Sequence, residues 1–368
     1  MRVKLALSTL CENPARRTGL STFFPEFLAA ARKAFPEVGW IVFCGEGARW
    51  PDTDPGVEWC RSFPSNERPV GRLLADHLGV APEARRRGAR ALVTVGFHPL
   101  RSAGLPVAMH VLALPGGPGE GGARSAYRRW ALARGLRRSS LVIANSEWTR
   151  SQLGPSRAPL IASPEGVSHA LFGPDGARGL PGIDGPYLLW ASNFYAYKHA
   201  ERALAAYARL PESLRGRFPL VLAGGDWSGG RARAELAARR LGLGDQARFL
   251  GWVDDSLLPA LYRGAHAHIL STERETFGRS VLEAMACGTP SVVQDLPVLR
   301  EVAADCAVYA DYADTAGASA ALESLCVDPA QRERLSAAGV SRSRLFSFER
   351  LARERVGAIL EGLGAGNA

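Results

Sequence analysis

Short apolar runs recur along the first half of the chain, and segments with helical apolar spacing separate them. The runs lie at residues 3–9, 40–44, 91–95, 106–112 and 141–146. Strands that alternate with helices pair in parallel, and the helices then cover both faces of the sheet. The first half therefore predicts a doubly wound parallel sheet.

The same alternation restarts after a stretch rich in glycine and proline at 173–186, which is typical of a linker. The later runs lie at residues 187–192, 218–224, 247–253, 266–272, 290–293 and 307–311. A chain of 368 residues is long for one core. We predict an α/β protein with two Rossmann-like domains at 1–180 and 181–345, followed by an amphipathic C-terminal helix within 346–368. Ligands bind beyond the carboxyl ends of parallel strands, so we expect the site in a cleft between the domains.

The composition narrows the class of protein. Apolar residues make up 46% of the chain, yet no uninterrupted apolar run approaches the ~20 residues that span a bilayer. The first residues also lack the apolar core and cleavage site of a secretory signal. These features predict a cytoplasmic protein. The six cysteines are scattered, so we expect reduced packing residues without redox or metal chemistry.

The positive charge is concentrated in the first half. The formal net charge is +9, and residues 1–180 hold 24 Lys and Arg against 14 Asp and Glu. One arginine cluster lies at 85–90 and a second at 124–138, around Tyr127 and Trp130. Such clusters are typical of a solvated helix face, or of a surface that attracts an anionic membrane or a lipid-diphosphate acceptor. Nucleic acid is the third interpretation, but no recognition motif supports it.

Two glutamates, Glu275 and Glu283, are separated by seven residues and bracket a Phe-Gly turn. If a helix starts near Gly278, its first N–H groups and positive dipole end can cradle a diphosphate. The axial rise between the glutamates is at most ~12 Å, about the span of a nucleoside diphosphate sugar. Carboxylates accept paired hydrogen bonds from vicinal hydroxyls, so one suits a sugar and the other a ribose. The alternative is that both glutamates merely complement the helix dipole.

The run from Thr272 to Val293 resembles the glutamate, seven-residue spacer, glutamate signature of family 4 of the retaining GT-B glycosyltransferases, also called glycosyl transferases group 1. The resemblance implies transfer of a hexosyl group, such as mannosyl or glucosyl, from a nucleoside diphosphate sugar to an acceptor hydroxyl in polysaccharide or glycoconjugate biosynthesis. It also implies that Glu275 holds sugar hydroxyls and Glu283 the ribose. It further implies that the first domain binds the acceptor, that the second binds the nucleotide sugar, and that the helix at 346–368 crosses back to pack on the first domain. The remaining donor-site positions that it implies in this run are Phe277, Gly278, Arg279 and Ser280.

A lysine and an asparagine follow the run at 187–192. By resemblance, Lys198 grips the donor diphosphate and takes part in catalysis together with Glu275 and His110. The family carries an arginine five residues before this lysine, and here that position is Asn193. Arg16, Arg17 and Arg279 are candidates for the missing charge. The alternative interpretation of Lys198 is an ordinary surface lysine.

Glycines mark two further loops. By resemblance, Gly224 and Gly225 lie beside the nucleotide, and Gly19 lets the backbone approach the donor phosphate. Glycine also serves plain strand-to-helix turns through its freedom in φ. The resemblance also implies that the helix after Gly19 begins at Ser21 or Thr22, and the alternative interpretation of this loop is an ordinary capped helix start.

Histidines at predicted strand ends are candidates for the cleft wall. By resemblance His110 contacts the transferred sugar, although Val111 replaces the aspartate that many members carry next to it. A satisfied core histidine is the alternative. His98 is a second candidate. We expect Ser146 to cap a helix rather than to act as a nucleophile.

The sequence predicts neither a metal nor a cofactor besides the donor substrate. Asp52, Thr53 and Asp54 spell the metal-binding pattern of another glycosyltransferase architecture, but turn chemistry in a Pro/Gly loop accounts for them. Neither a dinucleotide-binding nor a P-loop motif occurs. These absences argue against a dehydrogenase and a P-loop enzyme.

The predicted partners are a nucleoside diphosphate sugar and a sugar or lipid-linked glycan acceptor, with no nucleic acid. We also expect the basic first domain to make peripheral contact with the inner face of an anionic membrane. Two alternatives stay open. One is a sugar-nucleotide epimerase or phosphorolytic enzyme on the same fold, and the other is a non-catalytic protein that binds nucleotide sugars.

Overall fold

The computed structural model describes residues 2–12, 19–45, 47–48, 56–116, 121–183 and 185–365. The chain forms two compact α/β units. Unit 1 comprises Met1–Gly166 together with Phe348–Ala368, and unit 2 comprises Val167–Ser347. Among the described residues, no helix has the length and apolar character that crossing a bilayer requires.

Unit 1 contains a parallel sheet of seven described strands in the order β3-β2-β1-β4-β5-β6-β7. The order reverses between β1 and β4, and such a switch point is where open parallel sheets bind ligands. The strands are β1 (Lys4–Ser8), β2 (Gly39–Gly45), β3 (Val57–Phe63), β4 (Ala89–Val95), β5 (Val107–Val111), β6 (Leu141–Ala144) and β7 (Leu160–Ala162).

Helices cover both faces of this sheet. Alternate residues of each strand point to opposite faces, so Leu5 and Leu7 join one core and Ala6 joins the other. A π-helical segment, Ala75–Gly79, connects the second and third helices. The first helices of the chain are α1 (Gly19–Ala34), α2 (Pro69–Leu74), α3 (Val80–Arg86), α4 (Gly122–Arg138) and α5 (Glu147–Gln152).

Unit 2 repeats the design with six described parallel strands in the order β10-β9-β8-β11-β12-β13. Two parallel α/β sheets confirm the predicted fold class. The strands are β8 (Tyr187–Ala191), β9 (Leu220–Ala223), β10 (Ala247–Gly251), β11 (Ala265–Leu270), β12 (Ser291–Gln294) and β13 (Val308–Ala310). The helices are α6 (Ala200–Ala208), α7 (Glu212–Arg217), α8 (Gly230–Arg240), α9 (Leu258–Gly264), α10 (Arg279–Ala286), α11 (Pro297–Ala303), α12 (Thr315–Val327) and α13 (Pro329–Ser343).

The last helix, α14 (Phe348–Ala365), belongs to unit 1. Its apolar side chains, including Phe348 and Val356, join the core that α1 forms with the sheet. Arg355 lies on the same buried side and is fully enclosed. The guanidinium donates to the carbonyl oxygen of Ser163 at 2.6 Å and lies over the ring of Phe23 at 5.4 Å. The helix therefore carries a buried charge into the first core.

The boundary between the units lies earlier than the predicted 180/181. Residues 167–180 pack with unit 2, because Val167 and Phe172 are buried in its core. The guanidinium of Arg263 donates to the carbonyl oxygens of Gly173 and Ala177, at 3.1 and 2.8 Å. The glycine- and proline-rich stretch therefore lies on unit 2 instead of connecting the units.

Two strands, β3 and β7, were not predicted. Both lie at the edges of the first sheet. An edge strand is only partly enclosed and does not need the continuous apolar run by which a central strand is recognised. Accordingly, Val57–Phe63 contains Glu58 and Arg61, and β7 has only three residues.

Candidate functional site

Two loops leave the same edge of the second sheet side by side. Strands β8 and β11 are parallel neighbours, so the loops that follow them start together. The backbone N–H of Glu273 donates to the carbonyl oxygen of Tyr197 at 2.8 Å. The hydroxyl of Ser271 donates to the carbonyl oxygen of His199 at 2.8 Å. These hydrogen bonds fix the loop after β8 to the loop after β11.

Lys198 and Glu275 form an ion pair between these loops. Their side chains are only 14% and 13% exposed. Burial lowers the pKa of Lys198, but the Glu275 carboxylate, together with Tyr197 and Tyr195, outweighs that effect, and the net pKa is raised. The ammonium is therefore charged at neutral pH. Two predicted site residues, 77 positions apart, are thus in direct contact.

Gly278 sets the start of helix α10. Its φ of +99° lies in the left-handed region, and an added Cβ would lie 2.5 Å from Leu299 Cδ2. A side chain is therefore excluded both by backbone strain and by lack of room. The preceding Phe277 is buried and packs edge-on against Phe346, with ring centroids 5.8 Å apart. Phe277 anchors the turn in the core, whereas Arg279 and Ser280 form the first turn of α10.

Glu283 lies one turn into α10 and is nearly enclosed. Its Oε2 accepts a hydrogen bond from the Tyr262 hydroxyl at 3.0 Å, and its Oε1 lies 3.6 Å from Arg279 Nε. Burial raises the pKa of Glu283, and the Arg279 guanidinium and the Tyr262 hydroxyl only partly oppose this shift. Tyr262 escaped prediction because it lies 21 positions before Glu283, in a different helix. Only the folded contact reveals it.

A third loop follows β9 and contacts the first. Gly224 has a φ of +151°, and an added Cβ would overlap the carbonyl oxygen of Ser192. The next backbone N–H, of Gly225, donates to the side-chain oxygen of Asn193 at 2.9 Å. The residue at the position of the family's arginine therefore holds the loop between β9 and α8. Position 193 therefore carries no positive charge in this chain.

Aromatic and basic side chains of the two fixed loops stack on each other, which sequence reasoning had not identified. The guanidinium of Arg274 lies 4.7 Å from the centre of the Tyr197 ring, and Lys198 Nζ lies 5.4 Å from it. Tyr195 and Tyr197 are stacked with their centroids 5.7 Å apart. A cation over an aromatic face is attracted to the electron-rich ring. The stack concentrates positive charge next to Lys198.

Of the residues predicted to bind the donor or to take part in catalysis, His110 and Gly19 belong to unit 1 and the others belong to unit 2. His110 is fully buried next to Phe27, and its Nδ1 lies 3.5 Å from Arg355 Nη1. Burial and then the charge of Arg355 lower the pKa of His110 well below its usual value. Its imidazole is thus neutral within the core. Gly19 is the first residue of α1, so the predicted helix start at Ser21 or Thr22 was two or three residues too late.

The other candidates predicted in unit 1 are His98, Ser146 and several residues of the first loops. His98 is buried, with its Nδ1 2.8 Å from the carbonyl oxygen of Pro99. Ser146 Oγ accepts from the backbone N–H of Thr149 at 2.9 Å, which confirms the predicted helix cap. The predictions for Arg16, Arg17 and 52–54 fall outside the described residues.

No group of three or more His, Cys, Asp and Glu side chains within the described part of the chain is arranged to hold a metal. None of the six cysteines forms a disulfide bond, and all lie within described segments. The acidic side chains of the site, Glu275 and Glu283, are instead paired with Lys198, Tyr262 and Arg279.

The two-unit architecture with parallel sheets is of the GT-B type. Sucrose-phosphate synthase from Thermosynechococcus elongatus superposes with a TM-score of 0.79, covering 99% of this chain and 100% of that one. The two sequences are 21% identical, so this likeness shows the fold alone. Residues 181–342 match the family model described as glycosyl transferases group 1.

Curated relatives share part of their length with this chain. O-antigen chain mannosyltransferase B of Escherichia coli is 33% identical over 172 residues, covering 47% of this chain and 45% of that protein. A D-inositol 3-phosphate glycosyltransferase of Thermomonospora curvata is 34% identical over 215 residues, covering 53% and 49%. The chain thus spans about half the length of the curated relatives it matches.

Proposed function

We propose that this protein is a retaining glycosyltransferase that moves a hexosyl group from a nucleoside diphosphate sugar to an acceptor hydroxyl. The observation that carries the proposal is the ion pair between Lys198 and Glu275 shortly before the start of α10. All three lie within the residues that match the family model. This arrangement combines a cation, an acceptor of hydroxyl hydrogen bonds and a helix N-terminus. Those are the groups that a diphosphate linked to a sugar requires.

Each residue has a distinct role in the proposal. Lys198 and the backbone amides of Gly278 to Ser280 hold the diphosphate, because a buried ammonium and a helix N-terminus supply fixed positive charge. Glu275 accepts hydrogen bonds from the sugar hydroxyls. Glu283, held by Tyr262, accepts from the ribose hydroxyls. When the donor binds, its phosphate oxygens share the Lys198 ammonium with Glu275.

The reaction proceeds by front-face displacement. The bond between the anomeric carbon and the leaving phosphate oxygen breaks while the acceptor oxygen bonds to the same face of the sugar. The acceptor proton passes to the leaving phosphate oxygen, so the products are a nucleoside diphosphate and a glycoside with the original anomeric configuration. Lys198 and the α10 terminus stabilise the developing charge without much reorganisation. In this proposal neither a divalent metal nor a proton transfer at the buried His110 is required.

The acceptor in this proposal is a sugar or a lipid-linked glycan in polysaccharide or glycoconjugate biosynthesis. The name of the Escherichia coli relative, an O-antigen chain mannosyltransferase, supports both a mannosyl donor and such an acceptor. We place the protein in the cytoplasm, in peripheral contact with the inner face of the membrane through the basic residues of unit 1. The excess of arginine before residue 180 supports that placement.

A non-catalytic protein that binds nucleotide sugars is the second candidate. One observation favours it: Asn193 caps Gly225 where the family presents a guanidinium. Such a protein would bind nucleotide in unit 2 and transfer nothing. Release of nucleoside diphosphate in the presence of sugar nucleotide and acceptor separates the two candidates.

The test is calorimetric titration with UDP, GDP and ADP in the presence of a metal chelator, on the wild type and on Glu283→Gln. We expect one nucleotide to bind and the variant to bind it about 5- to 100-fold more weakly, because a buried charged hydrogen bond is worth about 1–3 kcal/mol. Glu212→Gln, an exposed change on α7, is the control and should bind like the wild type. Equal affinity of Glu283→Gln and wild type, or binding of none of the three, would contradict the proposal.

A further inference from the structure

The helical segment 69–79 of unit 1 turns apolar side chains towards solvent. Val70, Leu74 and Leu78 are spaced by four residues and are 74%, 57% and 47% exposed. Side chains at this spacing share one side of a helix. Asp76 and His77, in contrast, are buried. An ordinary surface helix buries its apolar side and exposes its polar side, so this segment has the reverse arrangement.

Hydrogen bonds hold the segment in this orientation. Asp76 Oδ1 accepts from the Ser8 hydroxyl at 2.9 Å, and Asp76 Oδ2 lies 3.7 Å from Arg72 Nε. His77 Nε2 lies 2.8 Å from the hydroxyl of Tyr127 on α4. Rolling the helix to bury its leucines would break these contacts and leave the buried Ser8 hydroxyl and the Tyr127 hydroxyl without these partners, which is costly. These hydrogen bonds therefore keep the apolar side of the segment exposed to solvent.

Neighbouring elements extend the exposed apolar surface. Trp130 of α4 is 43% exposed and lies beside the His77 ring, with centroids 5.7 Å apart. Leu100 is 51% exposed and directly precedes Arg101, whose backbone N–H donates to the carbonyl oxygen of His77. All the exposed large apolar side chains that the structure describes in unit 1 are in this one region. We call it the apolar face: Val70, Leu74, Leu78, Leu100 and Trp130.

Positive charge lies next to the apolar face. Helix α4 carries six arginines and no acidic residue. Arg134, four residues after Trp130, donates to the carbonyl oxygens of Pro99 and Leu100 at 3.1 and 3.4 Å. Arg137, seven residues after Trp130, lies on the same side of α4 and is exposed. The arginine helix therefore borders the apolar side chains directly.

We propose that the apolar face and the arginines of α4 form a docking surface for an anionic phospholipid membrane. Exposed leucines and a tryptophan enter the boundary between headgroups and acyl chains, and arginines bind the lipid phosphates. A nucleic acid would bind the positive charge, but it would not bury the exposed leucines. The inference rests on the proposed function, because the docking surface would bring a lipid-linked acceptor to the enzyme.

The test is flotation of the purified full chain with vesicles of phosphatidylcholine, with and without phosphatidylglycerol. We expect binding only to the vesicles that contain phosphatidylglycerol. The variant Leu74→Ser with Leu78→Ser should weaken this binding at least about ten-fold, because it removes apolar side chains that enter the interface. Its matched control is Leu236→Ser with Leu241→Ser, two exposed leucines of unit 2, which should leave binding unchanged.

A second pair of variants tests the charge. Arg137→Gln with Arg138→Gln removes two arginines from the last turn of α4, and we expect binding about thirty-fold weaker, since each cation contributes about a factor of five at an anionic surface. Arg239→Gln with Arg240→Gln removes the equivalent pair from the last turn of α8 in unit 2. That control should bind vesicles like the wild type.

Several outcomes would overturn the docking surface. The first is that the wild-type protein floats with neither kind of vesicle. The second is that Leu74→Ser with Leu78→Ser binds vesicles like the wild type. The third is that the wild type forms a dimer and this variant does not. The last outcome would assign the apolar face to a second copy of the chain. Nucleoside diphosphate titration of the same samples keeps the proposals separate: vesicle binding without nucleotide binding would retain the docking surface and reject the glycosyltransferase.

Discussion

The two units share a parallel sheet design but place their polar side chains differently. In unit 2 the polar groups meet on loops at the carboxyl edge, where Lys198 pairs with Glu275 and Asn193 caps Gly225. In unit 1 the candidate His110 is enclosed in the core beside Arg355. What unit 1 exposes is an apolar face bordered by arginines.

This difference shows where ligand chemistry constrains a sequence. Under the proposed function, a nucleoside diphosphate sugar would need a cation, carboxylates and glycines at fixed spacings, and the loops of unit 2 carry such a motif. A surface that contacts lipid or a variable acceptor needs only general apolar and positive character. Unit 1 accordingly has no comparable motif, and its exposed face emerges only from the fold.

The largest effect should come from Gly224→Ala. The added Cβ would overlap the carbonyl oxygen of Ser192 at a φ of +151°, so the two loops must separate. We expect the free energy of unfolding to fall by at least about 4 kcal/mol. Gly229→Ala is the control, because φ is +70° but no atom lies within 4 Å, and it should cost about 1 kcal/mol. Chemical denaturation measures both, and equal effects would show that these loops are not interlocked.

The second effect concerns the ion pair. Lys198→Met leaves the Glu275 carboxylate enclosed without its partner, and we expect a loss of about 3 kcal/mol of stability and of detectable nucleotide binding. The double variant Lys198→Met with Glu275→Gln removes the unpaired charge and should recover most of the stability but not the nucleotide binding. Denaturation and calorimetry measure the two quantities. A double variant no more stable than Lys198→Met would argue against a coupled pair.

The third effect is the response of unit 2 to acid. Burial and then the charge of Lys198 lower the pKa of His268 from 6.5 to about 3. Between these values the unfolded chain binds the proton and the folded chain does not, so stability falls as the pH drops below 6.5. The slope is about 1.4 kcal/mol per pH unit, or about 2 kcal/mol at pH 5.

His268→Asn should remove only this share of the slope. It should leave the shares from His266 of unit 2 and His77 of unit 1, whose pKa values are each lowered to about 4 by burial and then by a neighbouring arginine, Arg332 and Arg134 respectively. Unfolding measured from pH 7 to pH 5 provides the check. An unchanged slope in His268→Asn would show that this histidine is already protonated or that it titrates alike in both states.

The smallest effect distinguishes two changes of Asn193. Asn193→Asp keeps the oxygen that accepts from Gly225 but adds a negative charge, so we expect unchanged stability and about ten-fold weaker nucleoside diphosphate binding. Asn193→Ala removes the hydrogen bond and should cost about 1 kcal/mol of stability with little effect on affinity. If both variants bind nucleotide like the wild type, position 193 does not face the diphosphate.

Much of the fold could be predicted because central parallel strands need continuous apolar runs. Strands β3 and β7 were not predicted, because an edge strand does not need a continuous apolar run. The contact between Lys198 and Glu275 could be anticipated only through a family pattern, since 77 positions separate them. Tyr262, which holds Glu283, has no local signal at all. The roles assigned to His110 and Gly19 remain predictions.

Hydrogen exchange measured by mass spectrometry, with and without the nucleoside diphosphate that binds most tightly, tests the central claim most directly. The account predicts that saturating nucleotide slows amide exchange in peptides covering 193–199 and 271–283, where the loops and the start of α10 would hold the diphosphate and sugar. Bound nucleotide that leaves the exchange of both segments unchanged would contradict the assignment of the donor site to unit 2.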